Sequence, residues 1–215
     1  EIKRRKDSKM TAKVTENRQY RHFDHYLTDN LVHRLLRVDL ATKAITDLTP
    51  ATDRLFLNSG EIHFDVSPDG KTVALEFNST PAPFRDFPNA DIYLIPTDGS
   101  GAVKNVTPEN KGSDGSPIFA PDGKSVFFKR QETPYYSGES EKLWRHDLAS
   151  GRNVQVTDAL DYSIGDVRVA PDNRTLWITA EEKGVVPIFR LNADGSGWKQ
   201  VHAEGTSTGL DVRGD

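Results

Sequence analysis

Gly205-Thr206-Ser207-Thr208-Gly209 matches Gly-x-Ser-x-Gly, the spacing of a nucleophile elbow, in which a strained strand-to-helix turn exposes a serine hydroxyl. An elbow needs a helix after the serine and an acid and a histidine further along the chain. Here Leu210-Asp211-Val212-Arg213 has the pattern of a strand, and the last histidine, His202, precedes the serine. The sequence therefore predicts a connecting loop at 205–209. Asn192-x-Asp194-x-Ser196-Gly197 imitates the first half of a calcium loop, but Ala203 stands at the twelfth position, where a bidentate Glu is required. Asp98-Gly99-Ser100-Gly101 repeats the segment earlier in the chain, which makes both of them hairpin turns. Glu181-Glu182 would attract an ammonium group, yet Ala180-Glu181-Glu182-Lys183-Gly184 has the composition of a solvated turn. The six histidines, His22, His25, His33, His63, His146 and His202, show no ligand spacing with carboxylates. His22 and His25, three apart in an expected strand, would fall on opposite faces. No catalytic, cofactor-binding or metal-binding residue, and no cofactor, is expected within this chain.

Composition narrows the classes further. In 215 residues there are 16 Gly, 12 Pro and no Cys, which excludes disulfides, thiolate metal sites and cysteine nucleophiles. Basic and acidic residues number 28 and 32, a formal charge of −4, so no nucleic-acid partner is expected. No stretch approaches the roughly 18 apolar residues of a bilayer span, and no membrane association is expected. The opening Glu1-Ile2-Lys3-Arg4-Arg5-Lys6 has neither an initiator Met nor the apolar run of a signal peptide, as in a piece cut from something longer.

The elements that position these residues follow from an internal repeat. Val66-Ser67-Pro68-Asp69-Gly70-Lys71-Thr72-Val73, Phe119-Ala120-Pro121-Asp122-Gly123-Lys124-Ser125-Val126 and Val169-Ala170-Pro171-Asp172-Asn173-Arg174-Thr175-Leu176 share one pattern. Proline presets the first corner of a turn, Asp bonds back to the backbone, and Gly or Asn accepts positive φ. The flanking runs Val73 to Phe77, Val126 to Phe128 and Leu176 to Thr179 have strand length and β-branched or aromatic content. A second motif interleaves: strands headed by Leu36, Tyr93, Trp144 and Phe189, then turns, then strands at Ile45 to Thr49, Val103 to Thr107, Asn153 to Thr157 and Lys199 to His202. Together they make two hairpins, four antiparallel strands, in about 50 residues, the signature of a propeller blade. No 3.6-residue apolar stripe survives three turns, and Asp29 to Arg37 is expected as a loop entering a strand.

The expected fold is therefore all-β, a partial β-propeller of four-stranded antiparallel blades. Residues 1–18 form an N-terminal segment, and 19–60 end a preceding blade in which Tyr20 to Leu27 is an earlier strand. Blades run over 61–112, 113–160 and 161–204, and 205–215 begins another, where Arg213-Gly214-Asp215 takes the place of its first turn. A closed propeller needs four to eight blades. Two loops, Asn78 to Ala90 with Phe84, Arg85 and Phe87, and Arg130 to Lys142 with Pro134, Tyr135 and Tyr136, both follow a second strand and should emerge on one rim.

The Ser-Pro-Asp-Gly-Lys and Ala-Pro-Asp-Gly-Lys turns, the Leu-Trp-x-x-Asp-Leu-Ala-Ser-Gly strand and the Val-Thr strands resemble two groups of propellers. One is the N-terminal propeller of the prolyl oligopeptidase family of serine peptidases, including dipeptidyl and acylaminoacyl peptidases. The other is the propeller of TolB-like proteins. The stretch from Tyr20 to Leu27, leading into His33 to Thr42 and Asp47-Leu48-Thr49-Pro50, is more similar to the bacterial peptidases. That resemblance implies a propeller without a nucleophile, which caps a C-terminal α/β-hydrolase domain and admits small or unfolded peptide substrates. It also implies paired propeller carboxylates that hold a substrate amino terminus; Glu181-Glu182 lacks the helical insertion that carries them. The TolB likeness implies instead a protein-binding propeller without catalytic activity. Members of the peptidase family occur in bacterial periplasm and cytoplasm.

Overall fold

In a computed structural model, the structure describes residues 21–22, 25–26, 34–49, 62–80, 89–158 and 160–213. Sixteen strands run in chain order: β1 (Arg21–His22), β2 (His25–Tyr26), β3 (Leu36–Val38), β4 (Ile45–Asp47), β5 (Phe64–Val66), β6 (Thr72–Asn78), β7 (Ala90–Pro96), β8 (Lys104–Asn105), β9 (Asp114–Phe119), β10 (Ser125–Arg130), β11 (Lys142–Asp147), β12 (Asn153–Gln155), β13 (Ile164–Val169), β14 (Thr175–Ala180), β15 (Ile188–Asn192) and β16 (Lys199–His202). Among the described residues there is no helix.

Three four-stranded antiparallel sheets follow one another, in orders β5-β6-β7-β8, β9-β10-β11-β12 and β13-β14-β15-β16, with β3-β4 as a two-stranded sheet ahead of them. Sequential up-and-down sheets of four strands are propeller blades. The first strands β5, β9 and β13 neighbour one another, so they are the inner strands. The chain over Tyr20 to Leu27 departs from the single strand expected there. β1 and β2 pair antiparallel instead, with Arg21 opposite Tyr26 and His22 opposite His25.

The Pro-Asp turns behave as their chemistry requires. Asp69, Asp122 and Asp172 each accept, through Oδ1, the backbone N–H two residues on, at 3.0, 3.0 and 2.8 Å. Gly70, Gly123 and Asn173 take φ of 71°, 68° and 57°, the left-handed region glycine and asparagine tolerate best. Adjacent turns touch, since Asp122 N–H donates to Asn173 Oδ1 at 2.7 Å.

The core lies between sheets, not within one. Val73, Leu75 and Ile95 pack on Leu48 of the β3-β4 sheet. Ala74 and Ile92 pack on Phe119, Val126 and Phe128. Phe127 and Leu143 pack on Leu176, Ile178 and Leu191. Alternate residues of β6 and of β10 thus face opposite neighbours, as the two-residue period of a strand demands. Truncating one of these side chains, such as Ile178 or Leu176, removes about 2–5 kcal/mol.

Candidate functional site

A trough of about 700 Å³ runs along the inner strands. His63, Ser116 and Asp166 line it from successive sheets, and each lies five residues before a turn proline. The repeat therefore delivers one position per blade to the trough. In β9 and β13 the ladder slips between Phe127 and Lys129 and between Ile164 and Val167, irregularities next to Ser116 and Asp166. Ser116 pays for its place with a φ of 52°.

Glu76 organises one wall. Its Oε2 lies 2.9 Å from His63 Nδ1 and accepts the Ser116 backbone N–H at 2.9 Å. A carboxylate on one ring nitrogen fixes the orientation of an imidazole. Opposite, Lys129 Nζ pairs with Glu141 at 2.7 Å, and Asp166 Oδ2 accepts the Gly209 and Leu210 N–H groups at 2.6 and 3.3 Å. Glu76 thus meets the imidazole of His63 but only the backbone of Ser116, and Asp166 is held by other groups, so the three repeat-equivalent positions do not form one acid–base relay. With Lys129, Arg168 and Ser207 on its walls, the trough offers donors and acceptors suited to a polar chain such as peptide backbone.

Asn89, at the end of the first loop, and Gln131 to Ser137 of the second share a pocket of about 180 Å³. Tyr135 and Tyr136 are exposed there, at 76% and 59%. Phe84, Arg85 and Phe87 of the first loop lie outside the described residues.

The other sequence-singled residues take structural places. Gly205–Gly209 crosses beside β15, where Ser207 N–H donates to Val186 O at 3.1 Å and Thr206 bridges Val186. Ser207 borders the trough, on a connecting loop as expected. Asp194 turns its oxygens inward: Oδ1 accepts from Ser196 N–H at 2.9 Å and Ser196 Oγ–H at 2.7 Å, while Asn192 donates to Ser196 Oγ at 2.9 Å. Hydrogen bonds from Ser196 hold its carboxyl below the ordinary range. The Glu181-Glu182 turn is closed by Glu182 and Val185, and Lys183 Nζ lies 3.3 Å from Glu182. The Tyr162 hydroxyl, then Lys183, lower the Glu182 carboxyl. His146 is buried with Nδ1 2.8 Å from Asn153 Oδ1, and His202 is exposed on β16. His33 lies outside the described residues. Among the described residues no three His, Asp or Glu gather as metal ligands, and no helix is long and apolar enough to cross a membrane.

No family model matches the chain. Dipeptidyl-peptidase 5 of Trichophyton schoenleinii is 31% identical over 148 residues, covering 65% of this chain and 20% of that protein. A puromycin-hydrolyzing peptidase of Mycobacterium tuberculosis superposes with a TM-score of 0.61 at 19% identity, over 80% of this chain and 27% of that one. The chain is thus similar in sequence to part of a dipeptidyl-peptidase, and its fold is that of a propeller. A putative TolB from Agrobacterium tumefaciens superposes almost as well, with a TM-score of 0.58 at 20% identity over 80% of this chain and 55% of that one. At such identities superposition speaks for the blades alone, and the blades are common to both groups. The chain spans 20% of the length of the curated relatives it matches.

What sequence reasoning missed in this propeller is the repeat-equivalent set His63, Ser116 and Asp166, and the Glu76 that holds the first two. Counting back five residues from each turn proline was the signal that finds them.

Proposed function

We propose that this chain is part of the substrate gate of a serine peptidase of the prolyl oligopeptidase family, the catalytic α/β-hydrolase domain lying elsewhere in the polypeptide. The carrying observation is the 31% identity to dipeptidyl-peptidase 5 over 148 residues. Blades over 61–112, 113–160 and 161–204 form an arc of the propeller, with 19–60 ending the blade before them and 205–215 beginning the one after. The trough along the inner strands is the path by which peptide substrates approach the catalytic domain, and its walls select them by width and polarity.

The test is size selection in the parent polypeptide. Phe64 lines the trough and is half exposed. Phe64→Ala is expected to raise kcat/KM for bulky peptides a few-fold relative to a small dipeptidyl substrate, since it widens the path without touching the reacting groups. An equal effect on both substrates contradicts gating by the trough. A parent that cleaves neither contradicts the peptidase reading and favours a binding propeller.

A further inference from the structure

The third strands of the sheets carry one repeat-equivalent position: Arg37, Leu94, Arg145 and Arg190. For Arg37 and Arg145, the turn between third and fourth strands of the following sheet lies within reach. Arg37 Nη1 donates to Thr97 O at 2.5 Å and Nη2 to Thr46 Oγ1 at 3.2 Å. The turn it meets is Asp98-Gly99-Ser100-Gly101, which leans so closely that a Cβ on Gly99 would come within 2.5 Å of Thr46 Cγ2. Arg145 is followed in the next sheet by Asp194-Gly195-Ser196-Gly197, where a Cβ on Gly195 would fall 1.9 Å from Val156 O. After the hydrogen bonds from Ser196, the charge of Arg145 also acts on Asp194, as that of Arg37 does on Asp98. Leu94 is the exception that tests the rule. The turn in the sheet after it is Leu148-Ala149-Ser150-Gly151, which has no Asp-Gly pair. Within one chain, arginine goes with Asp-Gly-Ser-Gly in the next sheet and leucine goes with its absence.

Arg190 is the fourth member. It sits on the outer face of the β13–β16 sheet, where Trp177 pairs with Arg168 on one side and Arg190 on the other. Among the described residues its Nη2 donates to Thr175 Oγ1, at 3.3 Å, and its charge acts on Asp172, both in its own sheet. On the same face Asp166 already holds Gly209 and Leu210, much as Asp65 Oδ2 holds the Phe119 N–H of the next inner strand at 2.7 Å. We infer that this face seats a further four-stranded blade of the same polypeptide, whose third-to-fourth-strand turn presents an Asp-Gly pair to Arg190. The inference rests on the propeller reading, but not on the peptidase one. Two arginines beside a tryptophan call for a partner face with acidic or carbonyl acceptors, and the relatives' length leaves ample chain to supply it.

The chain has no cysteine, so Arg190→Cys and Arg145→Cys each introduce one thiol, and the same variants are made in the parent polypeptide with any cysteines of its own replaced. Thiol labelling at position 190 is expected to be fast in the 215-residue chain and at least about tenfold slower in the parent, while position 145 stays slow in both. Acrylamide quenching of Trp177 fluorescence, with Trp144 and Trp198 replaced by Phe, follows the same order and needs no change at Arg190. Equal labelling of position 190 in both lengths, or a parent with no Asp-Gly turn in its next repeat, overturns the inference. So does protection in the 215-residue chain that disappears on dilution, which assigns the face to a second copy. A parent that lacks peptidase activity but protects position 190 leaves this inference standing and removes only the peptidase reading.

Discussion

Arg130 closes a two-point fork on Asp114: Nε lies 2.6 Å from Oδ1 and Nη2 3.2 Å from Oδ2. The carboxylate has no exposed surface and the guanidinium almost none. The same Nη2 also donates to Glu109 Oε1 at 2.8 Å, and the Trp144 ring lies 4.4 Å from the guanidinium carbon. In the next sheet the register-equivalent pair is Ile164 opposite Ala180. The fold therefore accepts either an ion pair or apolar packing at this place.

Arg130→Met leaves Asp114 buried without its cation and is expected to cost about 3–5 kcal/mol. The double variant Asp114→Ile/Arg130→Ala copies the neighbouring sheet and recovers most of that loss. Urea midpoints of the two variants and the parent sequence measure it. A double variant as unstable as Arg130→Met would contradict the equivalence of the two sites.

The same pair sets a pH dependence. Burial pushes Asp114 up to about 6, against the pull of Arg130. A carboxyl whose folded pKa is raised binds its proton sooner in the folded chain, so this site adds stability as pH falls from about 6 towards the ordinary value near 4. The turn aspartates have the opposite sign. Hydrogen bonds from Ser67 hold Asp69 low, and those from Arg174 and Thr175 hold Asp172 low. Their contribution is present above the ordinary carboxylate range and is lost as pH falls through their folded values. Denaturation followed from pH 3 to 8 is expected to show Asp114→Asn abolishing the gain between pH 6 and 4 while leaving the acid limb. Asp172→Asn weakens the acid limb alone.

Two glycines in equivalent turns separate backbone conformation from crowding. Gly151 has φ 71° and open space around it, whereas Gly195 has φ 89° and Val156 O in the place of a Cβ. Gly151→Ala is expected to cost about 1 kcal/mol. Gly195→Ala costs more, by about 1–3 kcal/mol, because the turn must lift from the neighbouring sheet. Thermal midpoints compare them, and equal losses would show that the blades do not touch there.

The repeat was legible because its turns rest on local chemistry. The hydrogen bonds that close Pro68-Asp69-Gly70 and its copies fall within six residues, so the sequence window contains the cause. The outer strands were read too long for the opposite reason. Thr49, Thr107 and Thr157 were expected at strand ends, but β4, β8 and β12 stop two residues short. There the threonine hydroxyls accept the N–H groups of Leu35, Ile92 and Leu143, at 3.1, 2.9 and 2.9 Å, in place of a backbone carbonyl. That substitution depends on a partner about 14 residues away and leaves no local pattern. The Asp114–Arg130 fork was hidden similarly, since two charged residues 16 apart show no periodicity until the strands are paired. Glu76 was hidden further, because its partner Ser116 lies 40 residues on, in another sheet.

We propose that these blades gate a serine nucleophile carried elsewhere in the polypeptide. The most direct measurement is to treat the parent polypeptide with a fluorophosphonate, which labels activated serines, and to map the modified residue by mass spectrometry. The predicted result is a single labelled serine outside Glu1–Asp215, with loss of dipeptidyl cleavage in step with labelling and no labelling of the 215-residue chain alone. A parent that takes no label, or a label at Ser207, would contradict it.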